Sequence, residues 1–518
     1  MGEQRPLDAL TGFVRAGLPP DVSGQRRFFS RPDIVTDSYE SRRFLAPATE
    51  DRPQTEFFEY HWAHLMQGNR LADLGPTFRR LLLKPPWRVP RGLRGVWLLF
   101  WALFGAGAWW LWVCPLSDLQ PDQDIWAWLS KLLGTMAGSA VVGFVLTFLL
   151  ARIGKFLPGV LTNSFVDVVR YLDASPRSYE VRHEIRKGFV ELLERLHASK
   201  YDGKFRYQRV VVVAHSLGAY IAYDGISHLW GTMNNRASKD ATGAPDGLRD
   251  LEQAAAKLLP RGVQKTATRE QIDEFRDAQY KLWSGLRAQG NRWLITDFVS
   301  AGTPMYFADL LYTRTRKKFE ERVKRRELPT CPPQNEERSR EPSGAVPNYS
   351  YPWRGRRVLY DGAPFAVVRW TNLWFPCWPR RFGFLGDWFG GPLQPLFGNG
   401  ILDIPVVGNG WRRRIPGFAH ALYFKFPDDR TAGSVTRHLE DALALGAFNL
   451  SPTDKQISYA LDLLGRNGFR TRKMNESHAE LIDPRLPVPT GTVREWLRSM
   501  TRSEISSLID DLRGRRTG

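Results

Sequence analysis

Cysteine is scarce: Cys114, Cys331 and Cys377 are the whole complement of a 518-residue chain. Thiols so few and so far apart supply neither a disulfide framework nor a zinc site, and they point to a reducing compartment. Histidine is sparse too, nine in all. His61 and His64 have no Glu or Cys at ligand spacing, so they read as packing or surface residues rather than metal ligands. Neither a metal nor a cofactor is therefore expected. Residues 1–10 are polar and charged and lack the apolar stretch of a cleavable signal peptide. A nucleic-acid-binding module is missing as well.

Positive charge, by contrast, is abundant. Lys and Arg number 73 against 54 Asp and Glu, a formal net charge of +19. Such an excess attracts polyanions, either nucleic acid or the anionic headgroups of a bilayer. Two stretches favour the bilayer. Residues 95–116 and 132–151 carry no charge, and each is long enough to cross a hydrocarbon core of roughly 30 Å. Asp118, Asp122 and Asp124 lie between them. Arg79, Arg80, Lys84, Arg88, Arg91 and Arg94 precede the pair, and Arg152 and Lys155 follow it. This distribution predicts an integral membrane protein with two transmembrane helices and both outer ends cytoplasmic. A helical hairpin buried in a large soluble core is the competing reading. The basic run at 314–326 fits a solvated helix face, contact with anionic headgroups and, in third place, nucleic acid.

The chain is organised around Arg209-Val210-Val211-Val212-Val213-Ala214-His215-Ser216-Leu217-Gly218. Four consecutive valines predict a strand buried on both faces, as in the centre of a parallel sheet. Ala219, Ile221, Ala222 and Ile226 then recur at helical spacing. Ser216 therefore falls at a strand-to-helix junction, where small residues on either side let the backbone turn sharply and present the hydroxyl. A chance match to x-x-Ser-x-Gly is the plain alternative. The segment resembles the nucleophile elbow of α/β-hydrolase serine esterases and lipases, whose usual form is Gly-His-Ser-Leu-Gly; Ala214 replaces the first glycine. The resemblance implies an α/β fold, a mostly parallel sheet flanked by helices, with the membrane hairpin as an insertion. Around the elbow, residues 165–172 read as a strand, 179–197 as an amphipathic helix and 365–374 as a further strand. Residues 293–304 read as the next core strand, and their Gly302-Thr303-Pro304 turn resembles the Gly-Ser-Pro turn of the same hydrolases.

That fold orders its triad as Ser, acid, His. Only His420, His438 and His478 follow the late strands. His438 sits in a helical surface pattern and His478 in a polar appendage, which leaves His420 as the base. Among the acids, Asp297 is mid-strand, Asp309 starts a helix, Asp361 sits in a turn before its strand and Asp403 lies within an apolar run. Asp387 follows a core strand in the Gly-bracketed loop 386–393, which looks like the acid-bearing loop of those hydrolases. The oxyanion donors implied are the backbone N–H groups of Leu217 and of the loop near Gly2. Residues 1–8 resemble the tail of a His-Gly-x-Gly loop, which implies that the reading frame begins earlier or that one donor is lost; a natural polar N-terminus is the plain alternative.

The domain reading is 1–90 for the N-terminal part of the hydrolase domain, 91–155 for the hairpin, 156–445 for the main hydrolase domain with insertions at 231–290 and 313–357, and 446–518 for a helical appendage. The function expected is a membrane-anchored serine hydrolase acting on lipid or acyl esters through Ser216, His420 and Asp387. A catalytically silent scaffold that binds a lipid or a partner is the alternative.

Overall fold

In the computed structural model the described residues are 8–20, 25–35, 42–49, 52–66, 83–95, 97–98, 101–102, 105, 168, 170–172, 176–234, 241–259, 266–313, 315–336, 346–378, 385–407, 419–429, 431, 433–445, 452, 454–469, 492–500, 505, 508–509 and 512–513. The chain divides into two compact units. The smaller joins residues 17–32, 42–58 and 443–518. It holds an antiparallel sheet of Phe29–Pro32, Arg42–Ala46 and Thr55–Phe57, and a separate core in which Ile457, Leu463, Trp496 and Leu508 are buried. The segment 1–90 is thus shared between the units.

The larger unit is built on four parallel strands: β1 (Val210–His215), β2 (Ile295–Ala301), β3 (Arg369–Trp374) and β4 (Leu402–Pro405), in the order β4-β3-β2-β1. A helix α1 (Pro176–Ala198) precedes β1, α2 (Gly218–Met233) follows it, and α3 (Leu248–Leu258) and α4 (Arg269–Ala288) lie before β2. This is a mixed α/β fold with a parallel sheet flanked by helices. Thr268 and Gln271 form a capping box at the start of α4, each side chain satisfying the other's backbone N–H.

β2 is buried along its whole length, although Thr296, Asp297 and Ser300 interrupt its apolar run. Each is hydrogen-bonded: Asp297 to Arg209 and Arg369, Thr296 to Arg209, Ser300 to Asn372 and Trp370. Three sequence expectations shift. Among the described residues β1 has a single strand neighbour, so Val210, Val211 and Val213 are half-buried rather than enclosed on both faces. Val168 and residues 170–172 are helical, not extended. The helices of the 231–290 insertion belong to the main core: Leu251, Phe275 and Leu282 are fully buried in it, because α3 and α4 each carry a full apolar stripe. Among the described residues no helix is long and apolar enough to cross a membrane; residues 132–151, and 95–116 apart from a few positions, lie outside the described set.

His197 ties α1 to the sheet. Its Nδ1–H donates to the Leu193 carbonyl at 2.7 Å, and its Nε2 accepts the Leu294 N–H at 3.0 Å, which fixes a neutral tautomer. Burial, with help from the Arg287 charge, pushes its pKa down to about 4. The unfolded chain takes up this proton near the ordinary value and the folded chain does not. Stability from this group is therefore complete above about pH 6.5 and is lost, to roughly 3 kcal/mol, as pH falls to about 4. Urea unfolding near pH 7 and near pH 4.5 should show a smaller loss in His197→Gln than in wild type; equal losses would contradict this role.

Candidate active site

The elbow forms where β1 ends. Ser216 has φ +57°, a left-handed conformation that costs a non-glycine residue about 1 to 3 kcal/mol. Its N–H donates to the Ala301 carbonyl at 3.0 Å, pinning it to the end of β2. Leu217 then enters helical geometry and α2 begins at Gly218. A Cβ at position 218 would lie 3.8 Å from the Ala214 Cβ, so Ala in place of the usual glycine fits without a clash.

Three side chains distant in sequence meet here. His420, in a short 3-10 turn at Ala419–Ala421, places Nε2 2.9 Å from Ser216 Oγ and Nδ1 3.1 Å from Asp387 Oδ1. All three are buried, at 1% exposure for Ser216, 4% for His420 and 0% for Asp387, so their interactions are little screened by water. Asp387 also accepts the Phe389 N–H on Oδ1 at 2.9 Å and the Tyr423 hydroxyl on Oδ2 at 2.7 Å. Burial alone would push this carboxyl up. His420, with the Tyr423 and Phe389 donors, outweighs it and holds the acid below its ordinary value, hence ionised. An ionised carboxylate at Nδ1 fixes that nitrogen as the protonated one and leaves Nε2 free to accept the serine proton.

Two supporting residues were not singled out in the sequence. Tyr423, three residues past His420, donates to Asp387 and accepts the Phe375 N–H at 3.0 Å. His215, immediately before the serine, donates its Nε2–H to the His420 carbonyl at 2.8 Å, and its ring lies 4.8 Å from that of His420. Burial pushes the His215 pKa down to about 3, so it stays neutral and adds no positive charge beside the base. Its place inside the elbow motif was the only sequence signal; Tyr423 had none beyond proximity to His420.

Among the described residues the Leu217 N–H has no acceptor. It stands at the N-terminus of the 16-residue α2, where the helix dipole favours negative charge. Gly2 lies outside the described residues. Two of the other acids considered are engaged elsewhere: Asp297 in β2 ion pairs and Asp403 in β4 with backbone N–H groups. His438 is on the helix Val435–Leu443, and His478 is outside the described residues. His61 and His64 stack on each other at 5.6 Å, and no cluster of His, Cys, Asp or Glu suited to a metal occurs among the described residues.

No protein-family model, curated protein or solved structure matches this chain.

Two glycines give the acid its room. At Gly302, with φ +53°, a Cβ would fall 2.4 Å from the Tyr423 ring and 3.0 Å from Asp387 Oδ2. At Gly390 it would fall 2.6 Å from Asp387 Oδ2 and 3.0 Å from the Tyr423 hydroxyl. Gly390→Ala should therefore displace the carboxylate and lower any turnover that uses His420 as a base about 100-fold, since an ångström of misplacement costs that order. A variant with unchanged kcat would show that Asp387 does not orient the base.

Proposed function

We propose that this chain is a membrane-anchored serine hydrolase that cleaves carboxylic esters of lipid or acyl type, as a member of the α/β-hydrolase superfamily. The observation that carries the reading is the relay from Ser216 Oγ through the His420 ring to Asp387, with hydrogen bonds of 2.9 and 3.1 Å, at the end of a strand-turn-helix. The chain order Ser, acid, His supports it.

In the mechanism, His420 Nε2 takes the Ser216 proton as Oγ attacks the ester carbonyl. Asp387 stabilises the imidazolium, and the Leu217 N–H meets the oxyanion. The tetrahedral intermediate collapses, the proton passes to the leaving alkoxide, and an acyl-Ser216 remains. Water, deprotonated by His420, then releases the carboxylic acid. Gly2 is the proposed source of a second oxyanion donor.

A bilayer setting, with the catalytic unit cytoplasmic, is supported by the uncharged stretches at 95–116 and 132–151 and by the segment that leads into them. There Leu83 and Trp87 are 68% and 75% exposed beside Lys84, Arg88 and Arg94, a combination suited to an anionic interface. The same segment reaches the site: Val89 and Leu93 pack with Phe307, Trp388 and Phe389, and the Phe389 ring lies 4.9 Å from that of His420.

The test is release of carboxylic acid from acyl lipids in anionic vesicles by the full chain. Wild type should hydrolyse them and Ser216→Ala should not. Vesicle binding without hydrolysis by either form would favour the catalytically silent scaffold instead.

A further inference from the structure

We propose that Asp403, on β4, is a positioning residue for the catalytic acid: it clamps the end of the loop that carries Asp387. The inference rests on the hydrolase reading. The Asp403 carboxylate gathers three donors from two elements. Its Oδ1 accepts the Asn372 side-chain amide at 2.7 Å and the Leu393 N–H at 3.0 Å, and its Oδ2 accepts the N–H groups of Leu393 and Gln394 at 2.9 and 2.8 Å. Asn372, on β3, extends the clamp by donating to the Gly391 carbonyl at 2.9 Å. Asn372 is itself set by Ser300 Oγ, which donates to its Oδ1 at 3.0 Å and accepts the Trp370 indole N–H at 3.0 Å.

The other end of the loop is held independently, by paired backbone hydrogen bonds between Trp378 and Leu385 at 2.7 and 2.8 Å. Between the two clamps lie Asp387, Trp388, Phe389 and Gly390. The Tyr306 hydroxyl fixes the Trp388 carbonyl at 2.8 Å. The position of the Asp387 carboxylate is thus set jointly by the Trp378–Leu385 pair and by Asp403.

A half-buried carboxylate that accepts N–H donors on both oxygens must be ionised to serve all of them; a proton on either oxygen would face a donor and break a bond. All three partners, Asn372 on β3 and the Leu393 and Gln394 amides of the loop, are uncharged. Burial, opposed by these donors, pushes the Asp403 pKa up to about 6. The clamp consequently opens on mild acidification.

The experiment is the pH dependence of kcat for the full chain on a short p-nitrophenyl ester. Below about pH 6 the wild-type kcat should fall more steeply with acidification than that of Asp403→Asn, which has no carboxylate to lose. At alkaline pH, Asp403→Asn should lower kcat about tenfold with little change in KM. Asn372→Ser, which keeps the carboxylate and its backbone donors, should retain the steeper fall. If Asp403→Asn fails to fold, Asp403→Glu decides: a kcat equal to wild type across the same pH range overturns the proposal. An unchanged profile in Asp403→Asn overturns it as well, while active wild type leaves the hydrolase reading intact. A wild type without ester turnover removes both.

Discussion

Ser216→Ala is expected to lower kcat for ester hydrolysis about a millionfold, and adding His420→Ala to it is expected to lower the rate no further. The reason is geometric. Oγ and Nε2 are 2.9 Å apart and act in a single proton transfer, so removing either partner removes the same step. What survives should be the modest acceleration due to binding and to the Leu217 N–H. Steady-state kinetics of the two single variants and the double variant measure this. Additive losses would show that the two side chains do not work as a unit. Ser216→Ala should leave the fold unperturbed, because the serine is held by its backbone bond to Ala301; His420→Ala takes a partner from the buried Asp387, so its kinetics are read on protein shown to be folded.

The second large effect concerns stability. Asp297→Asn should destabilise the larger unit by about 3 to 5 kcal/mol, the usual consequence of breaking a buried ion pair from one side. Asp297, 1% exposed, accepts Arg369 Nε at 2.8 Å and Nη2 at 2.9 Å, Arg209 Nη2 at 2.8 Å and the Thr296 hydroxyl at 2.7 Å. A third guanidinium, Arg276, lies nearby and bonds the Trp370 carbonyl; burial pushes its pKa down to about 10. Burial would raise the Asp297 carboxyl, but Arg369 and Arg209 overcome this and hold it far below the ordinary value. The amide variant would leave buried cations without their counter-charge. Because the folded value is depressed, this contribution is complete above the unfolded carboxyl pKa of about 3.9 and is lost only as pH falls below it. The difference between wild type and variant in denaturant midpoint should therefore be the same near pH 7 and near pH 5. A difference under about 1 kcal/mol would show that solvent already compensates the arginines.

How far these features were legible in the sequence depended on the range of the interaction involved. Ser216 was plain, because the valine run, the small residues around the serine and the helical spacing after it are all local. Asp387 and His420 followed from chain order and from the loops they occupy. The hydrogen bonds that hold them were not legible: His215 reaches across 205 positions to the His420 carbonyl and Tyr423 across 36 to Asp387. Asp403 was passed over because it stands in an apolar run, although a lone carboxylate there implies buried donors. The valine run suggested a strand enclosed on both faces, yet composition cannot report how many strands flank it. Residues 165–172 show apolar and charged residues in an order that a short helix and a strand can share. The 231–290 segment read as an insertion, while its helices bury their apolar stripes in the central core.

The most direct measurement is the intact mass of the full chain after exposure to a fluorophosphonate, followed by location of the modified residue. Addition of one phosphonyl group, confined to Ser216 and abolished in Ser216→Ala, is the predicted result. Failure of the folded wild type to take up the probe, or modification at any residue other than Ser216, would contradict the account.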